Sequence, residues 1–289
     1  MLDDEVKACA LFLENTVGVF EKVNGYFQSD EPLIHIHRDL LLSVIRELCL
    51  RFVKPAVLSS CDLMNSDLIK EENFLDNTEI SIGYKCKRLV NNLSQKEKKN
   101  FYKSVKNYFI AGVSYIQKHC GLDNPILLNA SVANPASRLD AKFSSLLFFI
   151  EKFKFLPSLE DEDIDALNCQ FRNWQSLDCS FDQKIEEPID TYWFRLGKVQ
   201  DQIGQFSFIE LSKCMLNILT VFHSNSMCER IFSLIRRNRT DFRASMSNKL
   251  VESICITKVK SGPNSFKEPL SPEFLKRAKS ATKLSLTKN

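Results

Sequence analysis

The sequence predicts a mainly α-helical protein. Long stretches carry apolar residues three and four positions apart, the period of one helix face. Glycine is scarce, with 8 Gly against 22 Phe, which disfavours a turn-rich β fold. Cap motifs stand where the periodic stretches begin, the clearest being Ser94-Gln-Lys-Glu97.

In chain order, residues 5–27 read as an amphipathic helix with Val6, Ala10, Leu13, Val17, Phe20, Val23 and Phe27 on one side. Asp30-Glu31-Pro32 ends it. A second helix, from about Ile36 to Phe52, carries Leu40, Val44, Leu48 and Phe52 and stops before Pro55. Residues 57–93 are rich in Asp, Asn and Ser. Ile80-Ser-Ile82 alternates briefly like a strand, and loop with a short helix near 85–93 fits best. The capping box at Ser94 opens a helix with Phe101, Val105, Tyr108, Phe109, Gly112 and Ile116, stopped by Gly121. Pro125 and Pro135 punctuate the next loop and helix. Ala141 to Phe155 then reads as a deeply buried helix with Phe143, Leu146, Leu147, Phe148 and Ile150. Ser158-Leu-Glu-Asp161 caps the next, which carries Ile164, Leu167 and Phe171. Residues 176–190 are polar and acidic and end at Pro188, so the main domain boundary is expected there. Tyr192-Trp193-Phe194 opens a C-terminal unit, and helix 206–222 sets Phe208, Leu211, Met215, Ile218 and Phe222 on one face. After Lys260 come Gly262, Pro263, Pro269 and Pro272 among Lys, Arg and Ser. This is a flexible basic tail with a short helix capped by Ser271-Pro272.

The chain centres on His223–Lys258, two short helices around a basic hinge. Cys228, Ile231, Phe232 and Ile235 form the face of the first. Arg230, Arg236, Arg237, Arg239 and Arg243 crowd the other side and the turn after it. Ser245 offers an N-cap to the second, whose stripe is Met246, Leu250 and Ile254. The run Ser226-Met-Cys-Glu229-Arg230-Ile-Phe232-Ser233 resembles the Ser-x-x-Glu-Arg-x-Phe-Ser signature in the C-terminal region of hAT-family transposases. At lower specificity, Phe27-Gln-Ser-Asp-Glu-Pro-Leu-Ile-His35 and Arg51-Phe-Val-Lys-Pro55 resemble segments of the helical insertion in animal hAT-like proteins.

The resemblance implies an insertion-like helical domain at 1–185 and a dimerisation region at 190–260, followed by the tail at 261–289. The dimerisation helices would be those of an incomplete RNase H-like fold. It implies that Glu229 holds the place of the third carboxylate of an Asp-Asp-Glu metal site. Such a site needs three acids converging on two divalent ions, Mg or Mn. The two Asp partners lie on strands upstream of the insertion. Nothing between Met1 and Phe27 resembles them, and Asp3 and Asp4 read more simply as N-terminal caps. The expectation is therefore no cofactor and no catalysis, with Glu229 an acid of the first helical turn beside Arg230. The expected function is protein dimerisation by a transposon-derived protein, through Trp193, Phe208, Leu211, Met215, Ile218, Phe232, Leu250 and Ile254. The partner is a second copy or a related hAT-like protein. One alternative is a fragment of an active transposase whose Asp residues lie in a missing N-terminal part. Another is a DNA-binding regulator that sets Arg236, Arg237, Arg239 and Arg243 on phosphates without sequence preference. With no aromatic interleaving and no finger motif, a solvated or interfacial face is the favoured reading of those arginines.

Other classes are disfavoured. Met1 is followed by Leu-Asp-Asp-Glu, acidic where a secretory leader is basic, and no stretch reaches the ~18 apolar residues of a membrane helix. No membrane or small-molecule partner is expected, and the location implied is the nucleus, otherwise the cytoplasm. Lys276-Arg277 in the tail is a weak import patch. The 10 cysteines show no Cys-x-x-Cys pair and read as reduced, packed thiols. His35 and His37, two apart on a helix, point away from each other and read as partly exposed residues rather than metal ligands.

Overall fold

The computed structural model describes residues 3–153, 160–240, 246–261, 271–277 and 280. The protein is mainly helical. Among the described residues the only β pairing is two isolated bridges, Val53 with Phe74 and Gln200 with Phe206. The chain divides into two compact units, residues 1–224 and 225–289.

The first unit contains two adjoining cores. One is built by α1 (Asp4–Phe27), α2 (Ile34–Cys49), α3 (Pro55–Ser60), α4 (Tyr84–Val90) and α5 (Gln95–His119). α1 turns Ala8, Phe12, Thr16 and Val19 inward, while Val6, Leu13 and Val17 of the expected stripe face solvent. Two apolar stripes share this helix. The one that wins places the large Phe12 ring edge-on to Phe109 of α5 at 5.4 Å, with Phe52 stacked on Phe109 at 5.2 Å. The Thr16 hydroxyl, buried on that face, donates to the Phe12 carbonyl at 2.9 Å. Ile80 and Ile82 form no strand. They plug this core, held as Ser81 N–H donates to the Arg51 carbonyl and Leu75 N–H to that of Phe52, both at 2.8 Å. The capping box is present: Ser94 N–H donates to Glu97 Oε2 at 2.7 Å, and Glu97 N–H to Ser94 Oγ at 3.4 Å. Gly121 follows α5 with φ +61°, a left-handed stop that favours glycine.

The other core gathers α6 (Pro125–Ala130), α7 (Phe143–Lys152), α8 (Asp161–Gln175), α9 (Ile189–Leu196) and α10 (Ile209–Leu219). α7 is shorter and less buried than expected. Leu146 and Phe149 are buried, Phe143, Phe148 and Ile150 are half-buried, and Phe155 lies outside the described residues. Ser158 also lies outside them; at the start of α8, Glu160 N–H donates to the Asp163 carboxylate at 3.2 Å. The expected boundary at 185–190 is not where the chain divides. Trp174 of α8 and Trp193 of α9 meet at 5.1 Å between ring centres, across that loop. Trp174 Nε1 donates to Tyr192 Oη and Trp193 Nε1 to the Ala133 carbonyl, both at 2.9 Å. Both indoles are therefore satisfied inside one shared core, which the sequence had split. Gly197 follows α9 where a Cβ would stand 2.7 Å from Ser212 Oγ, so glycine lets α9 and α10 close together. Ser212 Oγ donates to the Trp193 carbonyl at 2.6 Å in that contact.

Two smaller expectations also change. Phe222, placed on the α10 stripe by its spacing, is past the helix end and 81% exposed. His35 is buried rather than partly exposed, and burial pulls its pKa down to about 4. His37 stacks on Phe27 at 4.6 Å, and its pKa is lowered by burial and then by His223. Cys49, Cys86 and Cys214 are buried, with burial pushing Cys49 up to about 12 and the other two up to about 11. Cys169, Cys179 and Cys228 are exposed. No helix among the described residues is long and apolar enough to cross a membrane.

Candidate functional site

The second unit holds α11 (Ser226–Asn238) and α12 (Asn248–Ser261). The run that resembles the hAT signature lies entirely on α11, where the three-and-four spacing of Cys228, Ile231, Phe232 and Ile235 does form one helix face. Glu229 in the first turn and Arg236 and Arg237 in the last turn suit the helix dipole. α11 ends at Asn238, a buried residue whose Nδ2 donates to the Leu234 carbonyl at 2.6 Å. Its Oδ1 accepts from Lys258 Nζ of α12 at 3.2 Å, which ties the hairpin together. Ser247 opens α12, its Oγ accepting from Leu250 N–H at 3.3 Å; Ser245 lies outside the described residues. Farther on, the expected cap at Ser271 is present, accepting from Phe274 N–H at 3.1 Å at the head of a helical turn over 272–277.

Among the described residues of this unit, only Asn238 and Val251 are buried. On α11, Phe232 is 66% exposed, Met227 and Cys228 are exposed, and Ile231 and Ile235 are half-buried. On α12, Leu250, Ile256 and Val259 are exposed and Ile254 is half-buried; Met246, which the spacing set on this helix, lies before its start and is half-buried. The apolar face of α11 is thus regular in sequence, with Cys228 and Phe232 exposed and Ile231 and Ile235 half-buried.

The eight residues expected to dimerise therefore part company. Trp193, Phe208, Leu211, Met215 and Ile218 are buried in the α6–α10 core, where a second copy cannot touch them without unfolding it. Phe232, Leu250 and Ile254 lie on the second unit, the first two at its surface. Arg236, Arg237 and Arg239 are exposed, and Arg243 lies outside the described residues.

Glu229 is exposed, and it is the one acid of α11. Among the described residues, no three His, Cys, Asp or Glu side chains are grouped closely enough to hold a metal ion. These residues do not fit the two-metal site that the resemblance assigns to Glu229, since one exposed carboxylate cannot hold two ions.

Sequence reading missed how charge divides between the units. Residues 225–289 carry 14 Lys and Arg against 5 Asp and Glu, a formal +9. Residues 1–224 carry 25 against 31, a formal −6. The overall +3 conceals this opposition, which emerges only when charge is summed on each side of Ser224.

Neither a family model, nor a characterised protein, nor a solved structure matches the chain.

Proposed function

We propose that this chain is a non-catalytic, transposon-derived protein of hAT type that works by pairing with a second copy of itself. The observation that carries the reading is α11. It has a continuous apolar face at helical spacing, and Phe232 at its centre is two-thirds exposed. A helix with such a face ordinarily buries it, and here Cys228 and Phe232 are exposed while Ile231 and Ile235 are only half-buried. The Ser226–Ser233 run supports the hAT origin, since in that family this stretch belongs to the dimerisation segment. Glu229 is exposed, and among the described residues no group of His, Cys, Asp or Glu side chains could hold a metal ion with it, which supports a role outside catalysis.

The test is the absolute mass of the purified chain by light scattering after size exclusion, over a concentration series. A species of about twice the 33.3 kDa chain mass supports the reading. It should be lost in Phe232→Asp, which alters a surface side chain and leaves both cores of the first unit intact. A monomer at every concentration contradicts it. Charging Leu211, Met215 or Ile218 would be uninformative, because those changes break the core whether or not the protein dimerises.

A further inference from the structure

The first unit carries a groove of about 470 Å³ between the segment 135–140 and the loop 182–185. Its floor is fixed. Arg138, buried to nine-tenths, donates from Nη2 to the Leu177 carbonyl at 2.9 Å, and its Nη1 lies 3.1 Å from Asp182 Oδ1. Its rim is apolar and exposed: Leu139 at 78% and Ile185 at 96%, among the most exposed large hydrophobic residues of the chain. Asp140 and Asp182 line it as well, and Lys184 is its exposed cation. Exposed Asp178 and Glu186 stand nearby in the same acidic stretch. The groove thus offers apolar walls and carboxylates on the acidic unit. α11 offers a helical face with an exposed aromatic and arginines on the basic unit. Phe232 and Arg236 are four residues apart, so Arg236 stands one turn above Phe232 on α11 and not on the opposite side, where the sequence reading set all the arginines.

We propose that α11 of one copy seats in this groove of a second copy, with Phe232 between Leu139 and Ile185 and Arg236 toward Asp140 and Asp182. The inference rests on the dimer reading above and deepens it by naming the two surfaces. Charge complementarity selects the occupant. The lining balances Arg138 and Lys184 against Asp140 and Asp182, and exposed Asp178 and Glu186 beside it make the surroundings acidic, so the arginines of α11 meet opposite charge there, whereas two α11 faces would set arginines against arginines. Area selects the arrangement. A helix of 13 residues is about 20 Å long and 10 Å across. A single seating therefore buries less than the ~800 Å² per partner of a stable interface. A reciprocal exchange, in which each copy gives one α11 and receives another, doubles the contact and closes the assembly as a two-fold dimer.

The test uses the full chain in three forms: wild type, Phe232→Asp, and the double variant Leu139→Asp with Ile185→Asp. All three sites are at the surface, so circular dichroism should show wild-type helicity throughout. Mass is read by light scattering over a concentration series at low and at high salt. The expected result is a wild-type dimer that loosens with salt, and self-association weakened about thirtyfold or more in each variant alone. Mixing the two variants should then give a heterodimer that is tighter than either variant alone and weaker than the wild-type dimer, because it keeps one of the two seatings. A groove variant that dimerises like wild type overturns the groove and leaves the dimer reading standing. So does a mixture that associates no more tightly than either variant alone. A wild type that is monomeric throughout overturns both.

Discussion

The two units bring opposite answers to the same kind of sequence. α10 and α11 both present apolar residues at three-and-four spacing, and both are amphipathic. α10 buries Leu211, Cys214, Met215, Ile218 and Leu219 against α9, α8 and α7. α11 buries only Asn238. The difference lies less in the helices than in their surroundings. α10 closes a core that already holds Trp174, Tyr192 and Trp193, while the described residues of the second unit bury only Asn238 and Val251. An amphipathic pattern fixes which face of a helix seeks cover; it does not fix whether the cover comes from the same chain.

The comparison breaks most visibly at the two indoles. Trp193→Ala removes a fully buried ring, the hydrogen bond to Ala133 and the contact with Trp174. It should cost about 3–5 kcal/mol in urea unfolding. A loss below about 1 kcal/mol would mean that α9 is not part of the core.

Acid should weaken the first unit next. Burial lowers the folded pKa of His35 to about 4 from an ordinary 6.5, so the unfolded chain takes up that proton first. Stability is highest above pH 6.5 and falls between 6.5 and about 4, by a total of about 3 kcal/mol. His35→Leu has no proton to accept and should flatten that slope. Glu187 acts lower on the scale. Hydrogen bonds from Arg195, Nε to Oε1 and Nη2 to Oε2 at 2.8 Å each, hold its pKa down to about 2. Its contribution is present above pH 4.5 and is lost as pH falls toward 2.

Ser94→Ala opens the capping box of α5 and should cost about 1 kcal/mol. Phe232→Ala should cost least, within about 0.5 kcal/mol of wild type in dilute urea unfolding, because its ring is exposed in the single chain. A cost like that of Trp193→Ala would place α11 inside a core and erase the contrast between the units.

Helix existence was legible in the sequence, and so were the caps at Ser94 and Ser271, because both depend on residues close along the chain. The inward face of α1 was not. Val6, Leu13 and Val17 satisfy the same period as Ala8, Phe12 and Val19, and only packing from distant residues, here the Phe101, Tyr108 and Phe109 rings against Phe12, chooses between them. The domain boundary was misplaced for a related reason. The loop before Pro188 has the composition of a linker, but Trp174 and Trp193 pack across it. At the candidate site the α11 face was readable from spacing alone. Its exposure was not, nor was the groove at Leu139 and Ile185, since both are properties of how distant segments meet.

If α11 is uncovered in a single chain and covered by a second, its amides should report the change. Hydrogen–deuterium exchange of α11 at two protein concentrations tests this most directly. Fast exchange in α11 is expected at high dilution and clear slowing at high concentration, with α5 and α10 slow at both. Amides in α11 as protected at high dilution as those of α5, with no change on concentration, would contradict it.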